Sequence, residues 1–263
     1  MRIIFIGDVV GEPGVAMLMQ SLQQLRESYK PDVILVNGEN AASDGRGITP
    51  PLVRQFIDGG IALITSGNHI WAKKEIVDYL ASGAKDLLRP ANFPGECPGS
   101  GVGIVTLPDG KKLGVLNVMG RVFMHDQLDC PFRTASSALT YLRNVTPYIF
   151  VDFHAETTSE KAALAYYLDG KVSAVVGTHT HVQTADERIL PNGTAYITDV
   201  GMVGALHSSL GMKSEIIIKR FLSQMPMRFA VEQQKPWILC AVFIEIDQSG
   251  KAVKIQRIKL EQV

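Results

Sequence analysis

Short apolar runs recur along the chain, and the segments between them carry apolar residues at helical spacing. In the first third, the runs at residues 3–6, 33–36 and 61–65 predict three buried strands. Helices are predicted over residues 15–29, between Thr49-Pro50 and Gly59-Gly60, and over residues 73–81. Strands that alternate with helices in this way predict parallel pairing through crossover connections.

The rest of the chain adds three hairpin signals to this alternation. Three short turn sequences each separate two apolar runs, namely Pro108-Asp109-Gly110, Pro191-Asn192-Gly193 and Gln248-Ser249-Gly250. Between the first two hairpins, strands are predicted over residues 148–153 and 172–176, and helices over residues 134–145 and 159–168. The C-terminal hairpin is expected to be either a covered sheet edge or part of the core.

No internal repeat, low-complexity tract or linker divides the 263 residues. At about 150 residues per domain, the length allows either one large domain or two modest ones. We predict a single domain over residues 1–263 with an α+β fold of four layers. In this arrangement two packed mixed β-sheets are flanked by helices.

Composition removes several classes of protein. Apolar residues make up 46% and charged residues 20%, which excludes a disordered chain. The 26 basic and 26 acidic residues balance, so there is no general attraction to nucleic acid or to an acidic membrane. The three cysteines show no C-x-x-C spacing, and no apolar run approaches the roughly 18 residues of a membrane span. The apolar run that meets Asp8 is too short for a signal peptide, so we expect a reduced, cytoplasmic protein.

Each of five predicted strands is followed directly by a cluster of Asp, Glu, Asn or His. Because the carboxyl ends of parallel strands line the ligand crevice of an α/β sheet, these clusters are expected to converge. In chain order the candidates are Asp8, Glu39, Asn40, Asn68, His69, His154, His179 and His181.

All of these except His69 are candidate metal ligands. Their oxygen and imidazole donors suit Mn²⁺, Fe²⁺ or Zn²⁺, and the absence of thiolates argues against a closed structural zinc site. One ion with an open position needs about three protein ligands, so seven ligands indicate two ions that share a carboxylate. Taken alone, each cluster is also typical of a turn, a helix cap or a structural histidine. The combination favours a metal site.

The same residues, in the same order, resemble the calcineurin-like metallophosphoesterases, whose motifs are D-x-H, G-D-x-x-D, G-N-H-[DE], H and G-H-x-H. The corresponding residues are Asp8, Gly38-Glu39-Asn40, Gly67-Asn68-His69, His154 and Gly177-Thr178-His179-Thr180-His181. Val10 replaces the first-motif histidine, and Thr178 precedes His179. With these departures, the chain resembles one bacterial branch of the family, the YmdB-like phosphodiesterases.

The resemblance implies a metallophosphoesterase-like fold and two divalent or transition metal ions, with iron or manganese ahead of zinc. It implies that Glu39 bridges both ions. The other ligands implied for the first ion are Asp8, Asn40 and His181, and those for the second are Asn68, His154 and His179.

The activity implied by the resemblance is hydrolysis of 2′,3′-cyclic nucleotides to 3′-nucleotides by a metal-bridging hydroxide. His69 would be the general acid, and Asn68 and His69 would contact the substrate. Arg46 follows the Glu39-Asn40 cluster and could touch phosphate or base, although a solvated loop is the favoured interpretation. Glu156 and Asp199 are candidate acceptors for the ligand imidazoles.

Two other functions remain open from the sequence. The same scaffold could be a phosphomonoesterase or phosphoprotein phosphatase, or it could be a nucleotide-binding regulator with little turnover. For the phosphodiesterase, the expected partner is a small cyclic nucleotide or another phosphodiester; the sequence shows no strong nucleic-acid signature, and no membrane partner is expected. The sequence also permits a homo-oligomer.

Overall fold

The computed structural model describes residues 1–262, which form thirteen strands and six α-helices. The strands are β1 (Arg2–Ile6), β2 (Asp8–Val9), β3 (Val33–Asn37), β4 (Leu63–Thr65), β5 (Val102–Thr106), β6 (Lys112–Met119), β7 (Ile149–His154), β8 (Ala174–Thr178), β9 (Arg188–Ile189), β10 (Ala195–Ile197), β11 (Met202–Ala205), β12 (Trp237–Ile246) and β13 (Ala252–Gln262). The helices are α1 (Gly11–Tyr29), α2 (Pro50–Asp58), α3 (Lys74–Ala81), α4 (Pro131–Val145), α5 (Thr158–Leu168) and α6 (Ser214–Ser223).

The strands form two mixed sheets. In the first sheet, β1, β3 and β4 are parallel neighbours joined through α1 and α2, and β12 runs antiparallel to β1. In the second sheet, β6, β7, β8 and β10 are parallel neighbours, with antiparallel β5 and β9 at the two edges. Both sheets therefore contain the parallel strands that the alternation of strands and helices predicts.

The sheets pack face to face, and side chains that alternate along each strand fill the layers on either side. Ile3 and Phe5 of β1 lie between the sheets, where the ring of Phe5 is 5.0 Å from that of Phe150. Ile4 and Ile6 of the same strand face α1, α2 and α3 on the outside of the first sheet. Helices α4 and α5 cover the outer face of the second sheet. The order is helices, sheet, sheet, helices, which confirms the predicted fold class.

The two strands of the C-terminal hairpin differ in burial. Strand β12 has β13 along one edge and both β1 and β11 along the other, and its residues from Ile238 to Ile244 are buried. Of the two arrangements that the sequence left open, the core one holds for β12 alone, and β13 lies at the sheet edge. Strand β13 forms the outer edge, with most of its residues exposed or half-buried.

Element boundaries differ from the predicted ones mainly at helix starts. Helix α1 begins at Gly11 rather than Val15, because Pro13 in the first turn needs no hydrogen-bond partner for its nitrogen. Helix α4 likewise starts at Pro131, at its first position. The sequence did not predict β11 or α6. No helix formed by residues 1–262 has the length and apolar character that a bilayer crossing requires.

Candidate metal centre

The carboxyl ends of parallel strands from both sheets meet at one place. Asp8 follows β1, Glu39 and Asn40 follow β3, and Asn68 and His69 follow β4 in the first sheet. His154 ends β7, and His179 and His181 follow β8 in the second sheet. A hydrogen bond from Asn37 Nδ2 to Asp152 Oδ2 (3.1 Å) joins the two sheets beneath this place. The structure therefore brings together all eight residues that the sequence singled out.

His154 lies at the centre of the group and is fully buried. Its Nε2 is 2.9 Å from Asn68 Oδ1, 3.1 Å from Glu39 Oε1 and 3.1 Å from His179 Nδ1. Potential ligand atoms of Glu39, His154 and His179 all lie within 4.8 Å of one another. Three residues from three different strand ends can therefore bind one ion.

Hydrogen bonds on the far side of each imidazole define which nitrogen is free. Thr178 Oγ1 donates to Asp152 Oδ1 (2.8 Å), so it accepts from His154 Nδ1 (2.9 Å) and leaves Nε2 of a neutral His154 without a proton. His179 Nε2 faces Glu156 Oε2 at 3.1 Å, which leaves Nδ1 free in the same way. Four lone pairs then point at one another. They belong to the imidazoles of His154 and His179, the carboxylate of Glu39 and the amide oxygen of Asn68. A divalent cation would satisfy all four.

Asp8, Asn40 and His181 form a second group beside the first. Asp8 Oδ1 is buried and has no hydrogen-bond partner among residues 1–262, and it lies 3.9 Å from His181 Nε2. His181 Nδ1 donates to the carbonyl of Leu210 (3.0 Å), which leaves Nε2 free. An unpaired buried carboxylate oxygen is costly unless a cation compensates it, so this group also fits a metal ion.

Asn40 and Glu39 connect the two groups. Asn40 Nδ2 donates to Glu39 Oε1 (3.1 Å) and lies 3.3 Å from His181 Nε2. The amide thus presents nitrogen rather than oxygen to this group, and a metal would require a rotation of the amide by about half a turn. Glu39 Oε1 contacts His154 of the first group and Asn40 of the second.

The pKa values describe how the group balances its charge without a cation. Burial raises the pKa of Asp8 to about 6. Burial would also raise the pKa of Glu39, but His154 and His69 outweigh it and hold that pKa at about 2. Burial works against a charged His154, yet the carboxylates of Glu39 and Asp8 raise its pKa to about 9. A proton on His154 therefore occupies the place that a cation would take.

The loop that carries His179 and His181 is held by a buried ion pair. Both histidines have positive φ (101° and 65°), which is unfavourable for residues other than glycine. Asp199 accepts from Thr180 N (3.0 Å), from Thr180 Oγ1 (2.8 Å) and from Lys161 Nζ (2.7 Å). Asp199 thus fixes the loop instead of accepting from an imidazole, so only Glu156 has the contact that the sequence suggested for both.

Gly67 gives Asn68 its close approach to His154. A Cβ at position 67 would lie 2.2 Å from Cδ2 of the His154 ring, closer than any non-bonded contact permits. Only glycine can therefore precede Asn68 here.

His69 lies at the edge of the group, where a cleft opens. Its backbone nitrogen donates to Glu39 Oε2 (3.1 Å), and burial lowers the pKa of its imidazole. The cleft has a volume of about 530 Å³, and its walls include Glu39, Asn40, His69, His179 and His181. Arg46 is exposed at the rim of this cleft, so the loop that carries it is both solvated and within reach of a ligand.

The sequence analysis gave no role in the site to Asp152, Thr178 or the Leu210 carbonyl. Asp152 could have been found, since a carboxylate in the middle of an apolar strand signals a buried polar role. Thr178 and the Leu210 carbonyl act through contacts between distant segments, which sequence spacing does not reveal.

A four-layer fold that gathers carboxylates and imidazoles at its strand ends defines a metallophosphoesterase-like protein. The family model described as YmdB-like protein matches residues 4–258. A curated Bacillus subtilis (strain 168) protein, 2′,3′-cyclic-nucleotide 2′-phosphodiesterase, is 53% identical over 259 residues, which cover 98% of this chain and 96% of the relative. The chain belongs to the YmdB-like family, which confirms the family predicted from its motifs.

Two solved structures share the whole fold. A hypothetical protein from Thermus thermophilus is 40% identical with a TM-score of 0.92, and the match covers 100% of both chains. A protein from Mycoplasma pneumoniae titled a novel phosphatase is 35% identical with a TM-score of 0.91, covering 99% of this chain and 93% of the other. Membership of this family implies divalent metal ions.

Proposed function

We propose that this chain is a metal-dependent phosphodiesterase that hydrolyses 2′,3′-cyclic nucleotides to 3′-nucleotides. The convergence of His154 Nε2 with Glu39, Asn68 and His179 carries this proposal. The Bacillus subtilis relative, a phosphodiesterase by name, confirms the predicted enzyme class, a phosphoric diester hydrolase.

The two groups of side chains would hold two ions. Asn68, His154 and His179 would bind one, and Asp8, Asn40 and His181 would bind the other, with Glu39 between them. Oxygen and imidazole ligands accept several metals, and we propose iron or manganese ahead of zinc. When bound, such ions supply Lewis acidity and lower the pKa of a water molecule to about 7.

The residues of the chain would orient the substrate and move a proton. The cyclic phosphate would enter the cleft beside Asn68 and His69. As the bond between phosphorus and the ribose 2′ oxygen breaks, water supplies the new oxygen on phosphorus, and His69 would donate a proton to the departing 2′ oxygen. General acid catalysis of this kind contributes about 10²–10⁴ in rate.

Three unpaired cysteines support a reducing compartment, for which we propose the cytoplasm. The substrate of the enzyme is then a small intracellular phosphodiester.

The test is to strip the purified protein of metal, add back Fe²⁺, Mn²⁺ or Zn²⁺ separately, and measure hydrolysis of 2′,3′-cyclic AMP. We expect 3′-AMP as the product, and only after metal is restored. Release of 2′-AMP would contradict the assignment of the broken bond. A strong preference for p-nitrophenyl phosphate over bis-p-nitrophenyl phosphate would favour a phosphomonoesterase instead.

The variant Glu39→Gln separates an enzyme from a regulator. The variant keeps the shape of the side chain but removes the charge that would lie between two ions, so nearly all activity should be lost. Normal hydrolysis of cyclic nucleotides by Glu39→Gln would overturn the assignment of the site.

A further inference from the structure

The cleft beside the candidate metal centre has an aromatic and cationic wall that the proposed chemistry does not use. Helix α6 and the segment after it supply Arg220, Phe221 and Phe229 to this wall. None of the residues of α6 is buried, and the side chain of Phe221 is 72% exposed. Exposure of a large aromatic side chain next to a polar site indicates a surface that meets a ligand.

Besides the aliphatic side chains of Leu210, Met212 and Ile217, the cleft is lined by flat groups. The guanidinium of Arg220 stacks over the ring of Phe229, with its carbon 5.1 Å from the ring centre. No carboxylate lies within 4.0 Å of the guanidinium of Arg220 or of Arg46 among residues 1–262. Two cations without acidic partners and two aromatic rings suit an anionic ligand that carries a planar ring.

The wall and the metal-ligating residues line the same cleft of about 530 Å³. A nucleotide whose phosphate lies at Glu39, His179 and His181 must direct its base away from them and into the remaining space. Aromatic side chains bind nucleobases by stacking, with a contribution from arginine. A phosphodiester without a base would leave this wall uncovered.

We propose that Phe221, together with the Arg220–Phe229 stack, is the nucleobase-binding subsite of this enzyme and determines its preference for nucleotides over other phosphodiesters. This inference rests on the proposed function for the reaction itself. It adds the residues that recognise the part of the substrate remote from phosphorus.

Kinetics on two matched substrates test the subsite. One is 2′,3′-cyclic AMP, and the other is 1-O-methylribose 2′,3′-cyclic phosphate, which has the same reacting ring and no base. For Phe221→Ala and Phe229→Ala, the ratio of kcat/KM for the nucleotide to that for the base-free substrate should fall about tenfold, mainly through KM. Phe221→Tyr should restore the ratio.

Leu222→Ala is the matched control, since Leu222 is on the same helix, is 83% exposed and does not line the cleft. This control should leave the ratio unchanged. An unchanged ratio in Phe221→Ala and Phe229→Ala, or an equal loss on both substrates, would overturn the subsite. So would a change in the native mass of Phe221→Ala, because the wall would then be covered by a second copy of the chain.

A wrong proposed function can be distinguished from a wrong subsite. If the wild-type protein hydrolyses neither substrate, the reaction assignment is wrong, and the subsite is then tested by calorimetric binding of 3′-AMP and ribose 3-phosphate to the manganese-loaded protein. Tighter binding of 3′-AMP that is lost in Phe221→Ala would support the subsite. Equal affinities for the two compounds in the wild type would overturn it.

Discussion

At the scale of single residues, the candidate centre depends on side chains that are not themselves candidate metal ligands. A neutral His154 presents a free Nε2 because Thr178 Oγ1 accepts a hydrogen bond from its Nδ1 and donates one to Asp152. The sequence identifies the histidine, because it ends a buried strand. Its acceptor lies on the neighbouring strand β8, and that pairing is a property of the folded sheet.

Thr178→Val tests this arrangement. The valine keeps the shape of the side chain but removes the oxygen that orients His154, so affinity for the metal should fall about 10–100-fold. Competition with a chelator measures the affinity, and Thr178→Ser, which keeps the hydroxyl, is the control. Equal affinities in Thr178→Val and the wild type would show that the hydrogen bond does not orient the ligand.

Lys161→Met tests the ion pair beneath the histidine loop. Lys161 and Asp199 are 1% and 0% exposed, so removal of the cation leaves a buried carboxylate uncompensated. The free energy of unfolding should fall by about 3–5 kcal/mol, as measured by urea denaturation. The control is Lys111→Met at the exposed Lys111–Asp109 pair, where we expect no measurable change. Similar losses in the two variants would contradict the role given to burial.

At the scale of elements, the strands that position the site can be predicted from the sequence. The helix that forms the wall of the cleft cannot. Buried strands such as β1, β3 and β7 are continuous apolar runs that end in a polar cluster, and this pattern can be recognised without a structure. Helix α6 contains three consecutive isoleucines, but none of its residues is buried, so its apolar residues do not show from the sequence that it lines the cleft. Strand β11 is only four residues long and contains Gly204.

The exposure of α6 predicts its dynamics. With no buried side chain, α6 should open far more often than α1, which buries nine residues including Leu18 and Leu22. In hydrogen exchange followed by mass spectrometry, the amides of α6 should exchange well before those of α1. Equal protection of the two helices in the free protein would contradict this expectation.

At the scale of the whole molecule, two sheets with parallel strands create one site because their carboxyl ends open on the same side. The inter-sheet core combines Phe5 and Leu35 from the first half of the chain with Phe150 and Val242 from the second. One domain over residues 1–263 stays a prediction. The sequence predicts the layers, since these follow from hydrophobic patterning. It does not predict the order of β11, β12 and β1 within the first sheet.

The charge balance of the centre predicts how metal and pH act together on stability. In the metal-free protein, the pKa of His154 is raised from 6.5 to about 9 by Glu39 and Asp8, against the effect of burial. The stabilisation from this proton is fully present below pH 6.5 and is lost as the pH rises through about 9. The increase in Tm on addition of Mn²⁺ should therefore grow between about pH 6.5 and about pH 9. An increase that is constant over this range would contradict the proposed exchange of a proton for a cation.

The central claim is that side chains from five strand ends hold a pair of metal ions. Anomalous diffraction from crystals of the manganese-loaded protein tests it most directly. We predict two peaks about 3.5–4 Å apart on either side of Glu39, one beside His154 and His179 and the other beside Asp8 and His181. A single peak remote from Glu39, or none at all, would contradict the claim.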